Sequence, residues 1–290
     1  MSLPFYLAAG VAACALVFSP EAEAQTHFTA ERAGDSHAQD VMFIPGLASP
    51  GEVWTETVDA LGSEIDAHVI TAAGFGDLAP SGEGAFIAPL VEDLAAYVDS
   101  HQIEGLTLVG HSMGAQIALQ LAAVRPQAVD QVIVVDSAPF YARLFNPAIT
   151  PEQAAGFGQG MAAQMASMSR DQYLSMSRQG LMIQSITENG QARVMSYMER
   201  ADQSAVARAM GEVAGTDFTS VLGEVDAEID VLVAWAPGAP VTQDQLRGIY
   251  EGQYASARDA EVHMITDSRH FIMFDQAERF VEFLRSELDD

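Results

Sequence analysis

Between Gly105 and Pro126 a short β-forming run passes straight into a helix, and that junction constrains the fold more than any other part of the chain. Leu106-Thr107-Leu108-Val109 reads as a buried strand, and Ala115–Val124 is a run of helix formers closed by Arg125-Pro126. The junction itself is Gly110-His111-Ser112-Met113-Gly114, the pattern Gly-x-Ser-x-Gly. So abrupt a change of direction puts Ser112 at the tip of a sharp turn in a strained conformation. Glycines at 110 and 114 leave room where side chains would meet the neighbouring strand and helix. A serine hydroxyl is a poor nucleophile unless it is held exposed beside a base, and this turn exposes it. The helix start also aims backbone N–H groups at any oxyanion formed nearby. Taken alone, the pattern also fits an ordinary βα turn with a small residue at its tip; the flanks and the residues discussed below favour a nucleophile.

The rest of the chain repeats the strand-then-helix rhythm. Strands are predicted at 41–44, 68–71, 131–136, 229–235 and 262–266, with helices over 54–61, 86–100 and 276–288. Ile87, Leu90, Val91, Leu94 and Val98 recur at helical spacing. The alternation predicts an α/β fold with a mostly parallel central sheet flanked by helices. Between Ala138 and Glu228 the rhythm breaks. No strand is apparent there, and helical stretches carry Met161, Met165, Met168, Met176, Met182, Met195, Met198 and Met210. These thioethers serve either as packing between helices or as an adaptable apolar substrate pocket. Residues 74–84 form a Gly-rich loop, expected over the site edge, and residues 25–40 read as a polar, flexible lead-in.

From Val41 to about residue 285 the chain resembles the α/β-hydrolase family. The strand and loop Val41-Met42-Phe43-Ile44-Pro45-Gly46-Leu47, the turn at Ser112, and the segment from Val262 to Phe271 carry the likeness. The resemblance implies that fold, with a helical cap inserted after the sixth core strand at about 141–226, within a domain spanning 41–290. It also implies Ser112 as nucleophile, His270 as general base, and the Leu47 and Met113 N–H groups as an oxyanion hole. The chain departs from the family's pattern twice. Pro45-Gly46 stands where His-Gly is usual, and the loop Ala236-Pro237-Gly238-Ala239-Pro240-Val241 lacks the carboxylate that usually orients the base. Two acids remain as candidates. Asp136, at the end of the preceding strand, is preferred, with Asp244 as the alternative, although a turn residue before Ser-x-Pro also accounts for Asp136. Asp267 is expected to shape the loop before His270, and His111 to pack against the sheet.

Composition narrows the partners. The chain of 290 residues holds 13 basic residues, all arginine, against 40 acidic ones, for a formal charge of −27. Nucleic acid and anionic membrane surfaces are poor partners for such a chain, whereas a neutral small molecule is not. Without lysine no phosphate-binding Gly-x-x-x-x-Gly-Lys loop is possible, and no His-Glu-x-x-His cluster supports a metal, so no cofactor is expected. Leu3–Phe18 is apolar and Ala22-Glu23-Ala24 fits a cleavage signal, so residues 1–24 read as a signal peptide and the protein as periplasmic or secreted. A lipoprotein box at Cys14 is the alternative, disfavoured by the apolar residues after it. No stable membrane association is expected after cleavage, which would also remove the only cysteine. The combined expectation is an exported serine hydrolase acting on carboxylic esters of small to medium apolar acyl groups. Lactone, amide or peptide hydrolysis, or a non-catalytic binding module on the same scaffold, are the alternatives.

Overall fold

A computed structural model describes residues 23–24 and 27–288. Eight strands form one sheet: β1 (Glu23–Ala24), β2 (Phe28–Gly34), β3 (Gln39–Ile44), β4 (Ile65–Ala72), β5 (Leu106–His111), β6 (Val129–Val135), β7 (Glu228–Trp235) and β8 (Ala260–Thr266). Their order across the sheet is β1-β2-β4-β3-β5-β6-β7-β8. Pairing from β4 through to β8 is parallel, while β1 and β2 run antiparallel at one edge. The five residues of β5 from Leu106 to Gly110 are fully buried, as a strand covered by helices on both faces must be.

Helices cover both faces. On one lie α2 (Ile87–His101) and α3 (Met113–Val124), whose Leu90, Leu94, Ile117 and Leu121 join Met42, Leu108 and Val132 in one core. On the other, α1 (Thr55–Leu61) and α10 (Ala277–Leu288) set Val58, Phe280 and Leu284 against Phe43, Val109 and Ile133. Alternate residues of β3 and β5 thus feed opposite cores, the period of two expected of strands. Four helices stand between β6 and β7: α4 (Pro151–Ser167), α5 (Arg170–Gln184), α6 (Glu188–Arg200) and α7 (Gln203–Gly215). Thr150 and Ser169 open the first two with capping boxes. The eight methionines of this region divide in use. Met195 is buried, Met165 and Met168 pack against the sheet core, and Met176 and Met182 are exposed.

Three expectations change. Residues 28–34 are not a flexible lead-in but a strand in continuous register with β4, from Phe28↔Ala72 to Gly34↔Asp66. Only Phe28 and Ala30 of it are buried, so backbone pairing rather than an apolar stripe holds it in place. A further helix, α8 (Gln243–Tyr254), follows β7 where no helix was expected, and α9 (Ile272–Asp275) precedes α10. The Gly-rich loop packs under the inserted helices: Asp202 N donates to Gly74 O at 2.7 Å. The apolar run at 3–18, Cys14 and most of the expected signal peptide lie outside the described residues; β1 ends where cleavage after Ala24 would fall. No helix among the described residues is long and apolar enough to cross a membrane.

Two histidines outside the cavity bear on how stability should vary with pH. His68 on β4 donates from Nε2 to Asp40 and accepts the Tyr97 hydroxyl at Nδ1, both at 2.8 Å. Burial outweighs the Asp40 bond and holds its imidazole below the ordinary histidine range. His263 on β8 has the opposite sign, raised by its 2.8 Å bond to buried Asp230. A depressed histidine resists a proton that the unfolded chain accepts near pH 6.5, so its contribution is lost as pH falls below that value. A raised one contributes fully below about 6.5 and loses that contribution as pH rises through its folded value. His263→Asn is therefore expected to cost more stability at pH 5.5 than at pH 8.5 in denaturant titrations, and His68→Asn the reverse. An equal loss at both pH values in either variant would contradict the assignment.

Candidate active site

Strand order reverses direction between β3 and β5, since β3 leads to β4 on one side and β5 to β6 on the other. A crevice opens at the carboxyl ends of strands at such a point. Leu47 follows β3, Ser112 follows β5, Asp136 follows β6 and His270 follows β8, and all four line one cavity of about 210 Å³.

Ser112 sits at φ 54° and ψ −118°, a conformation that a non-glycine residue rarely adopts. Its N–H donates to Val135 O at 3.0 Å, tying the turn to β6. Close approach explains the flanking glycines. A Cβ on Gly114 would lie 2.1 Å from Ile44 O, and one on Gly110 2.5 Å from Ala115 Cα. The turn at Ser112 therefore lies against the end of β3, and Leu47 and Met113 both line the cavity. Met113 is the first residue of α3, so its N–H has no acceptor within the helix.

Of the two candidate acids, the structure brings Asp136 to His270. His270 Nδ1 lies 2.7 Å from Asp136 Oδ2; a carboxylate there accepts a hydrogen bond from Nδ1–H, leaving Nε2 as the acceptor. Asp136 is itself held at φ 49°. Its N–H donates to Leu232 O at 2.8 Å and its Oδ1 accepts Ala234 N–H at 2.9 Å. The carboxylate thus leans across the end of β7 to meet a histidine carried by β8. Asp244 is exposed in the first turn of α8, and the structure does not bring it to His270. Asp267, at φ 56°, shapes the turn before His270, and its carbonyl accepts from Gln276 Nε2 at 2.7 Å.

His111 does more than pack on the sheet. Its ring lies 4.5 Å from that of His270, centroid to centroid, and its Nε2 donates to the His270 carbonyl at 3.0 Å. A Cβ at Gly46 would come within 2.8 Å of its Nδ1, so the glycine after Pro45 makes room for this ring. Burial first, and then the His270 charge, push the His111 imidazole well below the ordinary range, against the hydrogen bond to the carbonyl. It stays neutral beneath the base.

The inserted helices contribute side chains to the cavity wall. Met198 and Met210 line it beside Leu144 and Val213, while Gln116 and the tyrosines Tyr141 and Tyr250 supply uncharged polar groups. No arginine lines it. The end of α5 is fastened to the His270 loop. Gln184 O accepts Phe271 N–H at 2.8 Å. The Asp275 carboxylate takes Ser185 Oγ at 2.6 Å, Ile186 N at 3.1 Å and Arg269 N at 2.8 Å. Sequence reasoning missed Tyr250 and Tyr254 because it missed α8. The capping box Thr242-x-x-Gln245 was the available signal.

Away from this cavity, ligand atoms of Asp40, Asp66 and His68 fall within 4.8 Å of one another. Both nitrogens of His68 are committed to Asp40 and Tyr97, and Arg32 pairs with Asp66. The arginine supplies the positive charge a cation would bring.

Comparison with known proteins agrees with this architecture. Residues 41–283 match the model of the alpha/beta hydrolase family. A pimeloyl-[acyl-carrier protein] methyl ester esterase of Aeromonas hydrophila is 36% identical over 125 residues, a match covering 42% of this chain and 48% of that protein. A putative carbamate hydrolase, RutD, of Yersinia enterocolitica is 25% identical over 247 residues, covering 81% of this chain and 84% of that protein. Among solved structures, the enol-lactonase of Burkholderia xenovorans superposes with a TM-score of 0.72 at 16% identity, covering 91% of this chain and 96% of its own. That last likeness is one of fold. With the family model matching nearly the whole described chain, from within β3 into α10, this protein belongs to the alpha/beta hydrolase family.

Proposed function

We propose that this chain is an exported serine hydrolase that cleaves carboxylic esters of small to medium, uncharged acyl groups through an acyl-enzyme. The observation that carries the reading is the 2.7 Å Asp136–His270 contact in a cavity that also holds Ser112 on its strained turn. In this reading Ser112 Oγ attacks the ester carbonyl and His270 Nε2 takes its proton. The carbonyl electron pair moves to oxygen, where the Leu47 and Met113 N–H groups receive it. Collapse expels the alcohol, protonated by His270, and leaves the acyl group on Ser112. Water, deprotonated by the same histidine, then releases the acid. Asp136 holds the tautomer and faces the imidazolium that forms.

The cavity wall supports an uncharged substrate, since the chain has no lysine and no arginine lines the site. Its volume, about 210 Å³, is below the roughly 300–1,000 Å³ usual for ligand pockets, which supports short acyl chains. Acid, base and nucleophile on one cavity favour an enzyme over a binding module. Export rests on the sequence of residues 1–24 alone. N-terminal sequencing of the protein from a periplasmic fraction should begin at Gln25; a cytoplasmic full-length chain would refute it.

The test is turnover of p-nitrophenyl esters from acetate to decanoate, with fluorophosphonate labelling alongside. Activity is expected to peak at short chains and fall by about tenfold or more at decanoate, as further methylenes find no space. No turnover with any ester, and no label, would refute the hydrolase.

A further inference from the structure

Helix α8 brings to the cavity a tyrosine that the mechanism above leaves unused. Tyr250 and Tyr254 are four residues apart, and so lie on one face of that helix. Tyr254 donates its hydroxyl to Ser137 O at 2.9 Å. Tyr250 has no such partner among the described residues. It is 5% exposed yet lines the cavity, so the little of it that is accessible opens there. Tyr141, on the turn after β6, lines the same space, and its hydroxyl has no partner among the described residues either. A hydroxyl on a cavity wall with no protein partner is free to bond a ligand that enters.

The surroundings decide what kind of ligand group that is. Burial, and then the Asp136 carboxylate, raise the Tyr250 phenol well above its ordinary range, so it remains a protonated donor. No arginine lines the cavity to hold an anion, and Asp136 repels one. A neutral oxygen fits both conditions. We propose that Tyr250 is a specificity-determining residue, its hydroxyl donating to an uncharged carbonyl or ether oxygen that the substrate carries beside its scissile ester. The proposal rests on the ester-hydrolase reading and names the substrate class within it. Without a ligand, water entering the cavity would serve the phenol. A methylene that displaces this water forfeits the bond, whereas an oxygen at the same place restores it.

Two matched pairs test this, each exchanging one methylene for oxygen at constant length. On the acyl side they are p-nitrophenyl pentanoate and p-nitrophenyl 3-methoxypropanoate; on the alcohol side, butyl acetate and 2-methoxyethyl acetate. Ratios of kcat/KM are divided by the corresponding ratios for hydroxide hydrolysis, which removes intrinsic reactivity. In at least one pair the oxygenated ester is expected to be preferred by about five- to tenfold, and Tyr250→Phe to bring that ratio close to one. A merely structural role would slow both members alike and leave the ratio unchanged. A ratio that survives in Tyr250→Phe, or no preference in either pair, overturns the proposal while leaving the hydrolase standing. No turnover of any of the four esters, with no fluorophosphonate label, overturns both.

Discussion

Ser112→Ala is expected to lower ester turnover by at least about a thousandfold and to abolish labelling by a fluorophosphonate, with little change in stability. The expected loss is large because the hydroxyl is the bond-forming atom, and what survives its removal is only binding and oxyanion stabilisation. The small stability effect follows from the turn itself. Ser112 makes no side-chain hydrogen bond to cap α3, so alanine forfeits no cap. Alanine also meets the same steric penalty at φ 54° as serine does, and the strain is carried over unchanged. Stability should stay within about 0.5 kcal/mol of the parent in denaturant titrations. Mass spectrometry of the labelled parent should place the adduct on the peptide containing Ser112. An adduct elsewhere, or near-parental turnover by the alanine variant, would remove Ser112 from the chemistry.

Asp136→Asn should cost about a hundred- to ten-thousandfold in kcat, while Asp244→Asn changes nothing measurable. The asymmetry comes from how Asp136 is held. Its Oδ1 accepts the Ala234 N–H, and an asparagine keeps that bond only by turning its amide nitrogen toward His270. Two donors would then face each other at Nδ1 unless the imidazole moves its proton to Nε2, the atom that must accept from serine. The variant would be well folded with the base in the wrong tautomer. KM should change far less than kcat. A strong loss from Asp244→Asn with Asp136→Asn near parental would transfer the role to α8.

Much of this site was legible because its parts lie at strand ends, where local patterns are strongest. Ser112 is marked by two glycines whose positions the packing makes compulsory, and His270 by its place just after the last strand. Asp136 was harder to choose. Its partnership depends on a carboxylate reaching past β7, a relation between strands that are neighbours only in the folded sheet. Two elements escaped for physical reasons. In β2 the exposed Glu31 and Arg32 hide a strand next to the sheet edge, since pairing with β4 requires backbone rather than an apolar face. In α8 the polar sequence Gln243-Asp244-Gln245 masks the amphipathic helix whose Tyr250 and Tyr254 are buried. The role of His111 was also out of reach, because the carbonyl it meets is 159 residues away in the chain.

The bonds from Gln184, Ser185 and Ile186 to the His270 loop give the inserted helices a say in chemistry as well as in access. If α5 swings away from the sheet, it either breaks these bonds or drags the histidine with it. Either way the loop that carries His270 loses a support or moves, while Asp136 and His111 still hold the residue from the sheet side. Movement of α5 and the placing of His270 would therefore be linked through this loop. Loosening the link at Asp275 would couple a change in molecular traffic to a change in the chemical step.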